Sequence, residues 1–201
     1  MVAIIDYDAG NVKSVEKAIQ SLGKDVVLTR DKDTILNADH VILPGVGAFG
    51  ACMERIREYD LESVIKQVIS NNVPFLGICV GLQLLFEQSE ESPGVVGLGV
   101  LKGKIVRLPE TPGLKIPNIG WNDLKYPSKG RLFEGVDEGE YVYFVHSYYL
   151  QADDKNIVKA TTEYGATVEA SIECGNVFAT QFHPEKSSDV GLRILSNFLE
   201  I

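Results

Sequence analysis

Pro74-Phe75-Leu76-Gly77-Ile78-Cys79-Val80-Gly81-Leu82-Gln83 places a cysteine inside Gly-x-Cys-x-Gly, between a short apolar run and an apolar-periodic segment. The run reads as a buried strand and the segment as a helix. That is the setting of a nucleophile elbow, a sharp strand-to-helix turn that lifts a reactive side chain out of a sheet. Glycines two residues to either side let neighbouring backbone approach closely. The turn aims the thiol at a helix N-terminus, whose free N–H groups and partial positive charge favour an anionic sulfur. Val80, just past the cysteine, has its N–H placed to point at a developing oxyanion. Far along the chain, His183-Pro184-Glu185 supplies a base and an orienting carboxylate. His183 and Glu185 read as part of an extended segment leaving a strand, so their side chains project the same way. Pro184 fixes its own φ between them. Glu185 then holds one imidazole nitrogen while the other faces the sulfur, the arrangement of a thiol triad.

Outward from the elbow, strand and helix patterns alternate. Val2 to Ile5, Val26 to Leu28, Val41 to Leu43 and Phe75 to Ile78 read as strands. Val12, Val15, Ile19 and Leu22 recur at helical spacing, with Asn11 as an expected N-cap and Gly23 just past the end. Leu61, Val64, Ile65, Val68 and Ile69 form a second stripe behind Asp60, a capping candidate. Alternation of this kind implies a parallel sheet covered on both faces. Beyond about residue 99 the pattern changes to β-rich runs. These are Val100 to Leu108, Trp121 to Leu124, Tyr141 to Val145, Ile157 to Thr162, Thr167 to Ile172 and Val177 to Thr180. Ser92-Pro93-Gly94 and Pro109 to Pro117 read as surface loops. A last helix carries Ile194, Leu195, Phe198 and Leu199 on one face. The expected class is α/β: a mostly parallel central sheet flanked by helices, with an antiparallel strand extension. No linker divides the chain, so residues 1–201 read as one domain.

Composition narrows the function. A hydrophobic share of 45% and a formal charge of −9 describe an ordinary globular chain that repels nucleic acid and anionic membrane. Residues 67–86 carry no charge, long enough to span a bilayer, but Asn71, Asn72, Pro74 and Gln83 interrupt the run. Cys52, Cys79 and Cys174 are odd in number and widely spaced, which suits a reducing cytosol better than a disulfide framework or a zinc site. With no signal-peptide pattern at Met1 to Asp6, a cytoplasmic location is expected. The chemistry read here uses no cofactor and no metal. Cys52 and Cys174 read as packing residues, and His40 as a local cap or hydrogen-bonding group.

Gly77 to Gln83 together with His183-Pro184-Glu185 resembles the class I (triad) glutamine amidotransferases, along essentially the whole chain. The resemblance implies glutamine hydrolysis. Cys79 attacks the side-chain amide, His183 protonates departing ammonia, and water deprotonated by His183 releases glutamate from a γ-glutamyl thioester. Pro44-Gly45-Val46-Gly47-Ala48-Phe49-Gly50 supplies the other oxyanion donor, through backbone at Val46 or Gly47, and its glycines permit a peptide flip. That loop resembles the imidazole glycerol phosphate synthase branch of the family. So do Asp6 to Val12, Gly120-Trp121-Asn122, Phe144 to Tyr148 and Lys186-Ser187, with Asp8-Ala9 a departure from commoner versions. The branch implies a glutamine pocket at Gly47, Gln83, His146, Ser147 and Tyr148. It also implies a (β/α)8-barrel cyclase subunit as partner in a heterodimer of histidine biosynthesis, met at Asn11, Trp121, Asn122 and Lys186. Two other readings stay open: the glutaminase of another biosynthetic pair, and a non-catalytic scaffold relative.

Overall fold

The computed structural model describes residues 1–201. The chain begins β1 (Val2–Ile5), α1 (Val12–Ser21), β2 (Val26–Thr29), α2 (Lys32–Leu36), β3 (His40–Leu43), α3 (Phe49–Glu58), α4 (Glu62–Ser70), β4 (Phe75–Ile78) and α5 (Val80–Leu84). It continues β5 (Gln88–Ser89), β6 (Gly103–Arg107), β7 (Asn118–Asp123), β8 (Tyr141–His146), β9 (Tyr148–Ala152), β10 (Val158–Glu163), β11 (Thr167–Cys174), β12 (Val177–Thr180) and α6 (Ser188–Leu199).

Ten strands form one sheet in the order β2-β1-β3-β4-β12-β11-β9-β6-β5, with β10 also on β11. The first five run parallel, and β11, β10, β9 and β6 extend the sheet through antiparallel pairs. Hydrophobicity explains the order. β1, β4 and β12 are buried at every position, because helices cover both faces of central parallel strands. One apolar cluster runs from Ile4 and Leu43 through Phe178 to Leu150 and Ala160, so the antiparallel strands share the core of the parallel half. β7 and β8 pair only with each other, as an antiparallel ribbon beside the sheet. No helix is long and apolar enough to cross a membrane.

Several local expectations change. Asn11 occupies the N-cap position of α1 in a left-handed conformation, φ +59, and its side chain makes no cap bond. Asp60 sits at φ +52 before an uncapped α4, and its carboxylate pairs with Lys32 Nζ at 3.7 Å instead of capping. α2 has a cap the sequence reading passed over: Asp31 accepts from the Thr34 N–H. The strand expected over Val100 to Leu108 is shorter, and the one expected over Trp121 to Leu124 begins earlier, at Asn118. Cys174 is exposed beside the Gly175 turn, not packed. The His40 ring lies edge-on to Phe198 at 5.3 Å, and its buried Nε2 has no hydrogen-bond partner, so it packs instead of capping.

Close backbone approaches fix the parts that face the sheet's C-terminal edge. α6 lies so near the 183–187 turn that a Cβ on Gly191 meets the Pro184 carbonyl oxygen at 1.9 Å. Gly191→Ala is expected to destabilise the fold by about 2–3 kcal/mol. Gly175→Ala, at φ +59 with open space around it, should cost only about 1 kcal/mol from backbone strain. Thermal unfolding of the two variants checks the order; equal losses would contradict the packing account.

Candidate active site

Three loops converge where β3, β4 and β12 end, the edge at which open α/β sheets bind ligands. Cys79 follows β4 directly and adopts φ +56, ψ −110, a conformation strained for a residue with a side chain. Its neighbours leave no room to relax. A Cβ on Gly77 meets the Gly81 carbonyl oxygen at 2.6 Å, and one on Gly81 meets the Leu43 carbonyl oxygen at 2.0 Å. The Cys79 N–H donates to the Thr180 carbonyl at 2.7 Å, extending the β4–β12 ladder into the turn. The helix that follows is only five residues long, so it contributes little dipole. The thiol points towards the Val145 carbonyl, 3.8 Å away, and receives a contact of the same length from Gln181 Nε2.

His183 leaves β12 three residues past its end. Pro184–Lys186 forms a single 3₁₀ turn with His183 at its N-cap, not the extended segment expected. Proline suits the first position of such a turn, where an N–H would have no partner. The turn curls Glu185 back under the imidazole, and His183 Nδ1 lies 2.8 Å from Glu185 Oε1. Both side chains are almost fully buried, at 2% and 1% exposure. Backbone fastens the turn: His183 N–H donates to the Tyr143 carbonyl at 2.9 Å, and Ser187 Oγ–H to the His183 carbonyl at 2.6 Å. With Nδ1 held, Nε2 is the nitrogen left for the Cys79 thiol. Burial pulls the His183 pKa down. The nearby Cys79 thiol, the hydrogen bond to Glu185 and the negative charge of both groups outweigh it and raise the pKa well above 6.5.

The glycine loop lies opposite, with its carbonyls and Val46 N–H engaged. Tyr7 Oη–H donates to the Pro44 carbonyl at 2.7 Å, and the Cys52 thiol contacts the Val46 carbonyl at 3.7 Å. Val46 N–H donates to the Ala9 carbonyl and Val80 N–H to the Gly45 carbonyl, both at 3.3 Å. Two of the expected oxyanion donors, Val46 and Val80, are therefore occupied in this conformation. Gly47, at φ +104, is exposed beside them.

These groups line one cavity of about 230 Å³ that takes in Val46, Gly47, Cys79, Gln83, His146, Ser147, Tyr148 and His183. Gln83 Nε2 donates to the Tyr148 carbonyl at 3.2 Å and to Gln181 Oε1 at 3.1 Å. His146 Nδ1–H donates to the Tyr148 carbonyl at 3.0 Å, and Asn118 Nδ2 donates to its Nε2 at 3.3 Å. Burial lowers the His146 pKa to about 4, against that hydrogen bond and helped by the His183 charge. His146 is a neutral wall, and His183 is the histidine of the cavity that carries charge.

Two groups at the site are not foreseen from the sequence, one lining the cavity and one packed against the sulfur. Glu91 reaches the cavity from just before the Ser92-Pro93-Gly94 loop, its Oε2 accepting from the Phe49 N–H at 2.8 Å. Gln181 was hidden by its place between β12 and His183, although a polar residue inside that apolar run was a signal.

The four expected contact residues separate. Trp121 is 48% exposed on the outer face of the β7–β8 ribbon, with Ile119 at 61% and Tyr141 at 57%. Asn122 points the other way, its Oδ1 accepting from Asn118 Nδ2 at 3.1 Å behind His146. Lys186 is exposed and makes no ion pair. Asn11 Nδ2 donates to Glu185 Oε1 at 3.0 Å.

The two histidines should titrate in opposite directions. Ring resonances followed against pH are expected to place the His183 midpoint above 6.5 and the His146 midpoint near 4. Replacement of Cys79 by alanine should bring His183 down. By linkage, the stability His183 contributes is present below 6.5 and lost as pH rises through its raised folded value. His146 instead destabilises the fold as pH falls from 6.5 towards about 4. A His183 midpoint at or below 6.5 would contradict the triad geometry.

The family model for glutamine amidotransferase class-I matches residues 3–201. Imidazole glycerol phosphate synthase subunit HisH 1 of Methanococcus maripaludis is 46% identical over 204 residues, covering all of both chains. Subunit HisH of Moorella thermoacetica is 49% identical over 200 residues, covering 100% of this chain and 94% of that one. Among solved structures, one described as a glutamine amidotransferase superposes with a TM-score of 0.77 at 22% identity, covering 100% of this chain and 98% of that one. PurLQS from Thermotoga maritima gives 0.72 at 20%, covering 99% and 97%. At those identities the structures attest the fold alone, whereas the family match and the sequence relatives reach further: the chain belongs to the class-I glutamine amidotransferases.

Proposed function

We propose that this protein hydrolyses glutamine to glutamate and ammonia, acting as the glutaminase subunit of an imidazole glycerol phosphate synthase in histidine biosynthesis. One observation carries the reading: Cys79, His183 and Val46 line a single small cavity, with Glu185 held against the far side of the His183 ring. The names of its full-length relatives at 46% and 49% identity support the finer assignment.

In this reading the Cys79 sulfur attacks the glutamine side-chain carbonyl, and the imidazolium of His183 delivers its Nε2 proton to the leaving ammonia. Glu185 at Nδ1 keeps the ring oriented and stabilises its charge. Water, deprotonated by the neutral His183, then attacks the thioester, and glutamate departs as the sulfur is restored. Glu91 is placed to meet the substrate's α-ammonium, and Gln83 lines the pocket, backed by buried Gln181 against the sulfur. Ser147 and Tyr148 close the pocket.

Both attacks generate an oxyanion, and the resting loop withholds its donors. The long pair of bonds on the Gly45–Val46 peptide suggests how they are supplied. Turning that peptide breaks only the Val46–Ala9 and Val80–Gly45 bonds, while Tyr7 and Cys52 keep the loop's ends in place. Val80 N–H is freed and Val46 N–H swings towards it in one motion. Losing one such donor costs about 100- to 1,000-fold in rate, so the resting state should be nearly idle.

Ammonia released to bulk water is protonated and lost as a nucleophile, so a partner has to cover the exit. The exposed row Ile119, Trp121 and Tyr141 is carried on the strands that supply Val145 and His146 to the cavity, and it offers an apolar surface for a (β/α)8-barrel cyclase subunit. Both subunits are assigned to the cytoplasm.

The deciding experiment adds this protein to a barrel cyclase that uses free ammonia. Cyclisation should become glutamine-dependent; if it stays ammonia-dependent, the assignment fails. Cys79→Ala is expected to abolish glutamine hydrolysis with the fold intact. Trp121→Ala should weaken association with the barrel by about 30-fold, measured by calorimetry.

A further inference from the structure

We propose that Asn11 is a positioning residue for Glu185, joining the orienting end of the triad to the loop that restrains the oxyanion peptide. The proposal rests on the glutaminase reading for its activity assay.

Asn11 stands where a helix cap belongs but does not cap. Its backbone is left-handed, a conformation asparagine tolerates better than most residues, and this turns the side chain away from α1. The amide crosses to the other end of the sequence and donates to Glu185 Oε1 at 3.0 Å, the same oxygen that takes His183 Nδ1 at 2.8 Å. Glu185 Oε2 is buried with no partner. Asn11 and His183 are thus the whole donor set of a buried carboxylate. With one donor the carboxylate is free to rotate towards its bare oxygen. A second donor from a different segment fixes its plane, and with it the imidazole.

The same short loop serves the opposite wall of the site. Two residues before Asn11, the Ala9 carbonyl accepts from Val46 N–H at 3.3 Å. One residue earlier, Asp8 is fastened from outside by Arg30 Nη2 at 2.7 Å and by the Tyr59 hydroxyl, with the Arg30 guanidinium stacked 4.2 Å over the Tyr59 ring. Residues 8–11 therefore form a held block that touches the triad on one side and the oxyanion peptide on the other. A shift of this block that frees Val46 also reaches Glu185.

The test uses full-length protein saturated with the barrel partner. Asn11→Gly keeps the left-handed backbone and removes the amide. Asn11→Asp keeps the shape and puts a carboxylate against Glu185. Glycine should lower kcat for glutamine about 10-fold with KM within twofold, and aspartate should lower it further. The His183 Nδ1–H resonance should move in both variants. Full kcat in both, an unmoved resonance, or activity regained merely by adding more partner would overturn the proposal. Alkylation of Cys79 by iodoacetamide, slowed in both variants, needs no glutamine. If wild-type protein with partner fails to hydrolyse glutamine, the glutaminase reading falls, and the resonance and alkylation rate still decide the role of Asn11.

Discussion

Everything at the site depends on the pairing of β4 with its two parallel neighbours. Gly77 sits opposite Leu43 on one side and Ala179 on the other, and Ile78 opposite Thr180. That register sets the elbow one step from the oxyanion loop and one step from the strand that delivers His183. Parallel pairing makes this possible, since all three strands then end at the same edge. A slip of one residue in β4 would turn Cys79 away from the cavity. Glycines at 77 and 81 hold the register by allowing approaches that any side chain would block.

Around this frame the buried polar groups are arranged in tiers. His183 leans on Glu185, Glu185 on Asn11, and the turn that carries them on Tyr143 and Ser187. Across the cavity, Gln83, Gln181 and Tyr148 form a second chain, and Asn122, Asn118 and His146 a third. Inside a protein such networks rigidify a site when most members are satisfied. Two of the exceptions lie at the site, where His183 Nε2 and Glu185 Oε2 are buried without partners; His40 Nε2 and Thr162 Oγ1 lie away from it. The first is the nitrogen through which the proposed mechanism exchanges a proton. The oxyanion peptide is the loosest member, with both of its bonds at 3.3 Å.

What could be read beforehand was whatever a few adjacent residues determine. The elbow was legible because strand, glycines, cysteine and helix are contiguous. The partnership of His183 with Glu185 was legible too, but not its geometry, since a proline between them fits an extended segment and a 3₁₀ turn equally well. Asn11 was misread as a cap because its left-handed backbone is dictated by contacts with residues far along the chain. Glu91 carries no signal in the sequence, since only the folded chain brings its loop to the N-terminus of α3. The β7–β8 ribbon was placed in the main sheet by default, because strand patterns do not reveal which partner each strand chooses.

That ribbon carries a lasting constraint on how the gene can change. Trp121 and Asn122 are adjacent, yet one belongs to the exposed outer surface and the other to the half-buried side behind His146. Because strand residues alternate sides, a single inserted or deleted codon within β7 would exchange the two. An indole would be driven against the cavity wall, and an amide would be left facing the apolar row. Substitutions on either side are open to selection one at a time, but length is not. Related chains that keep both surfaces should therefore vary in the loops flanking this ribbon and hold the spacing within it fixed.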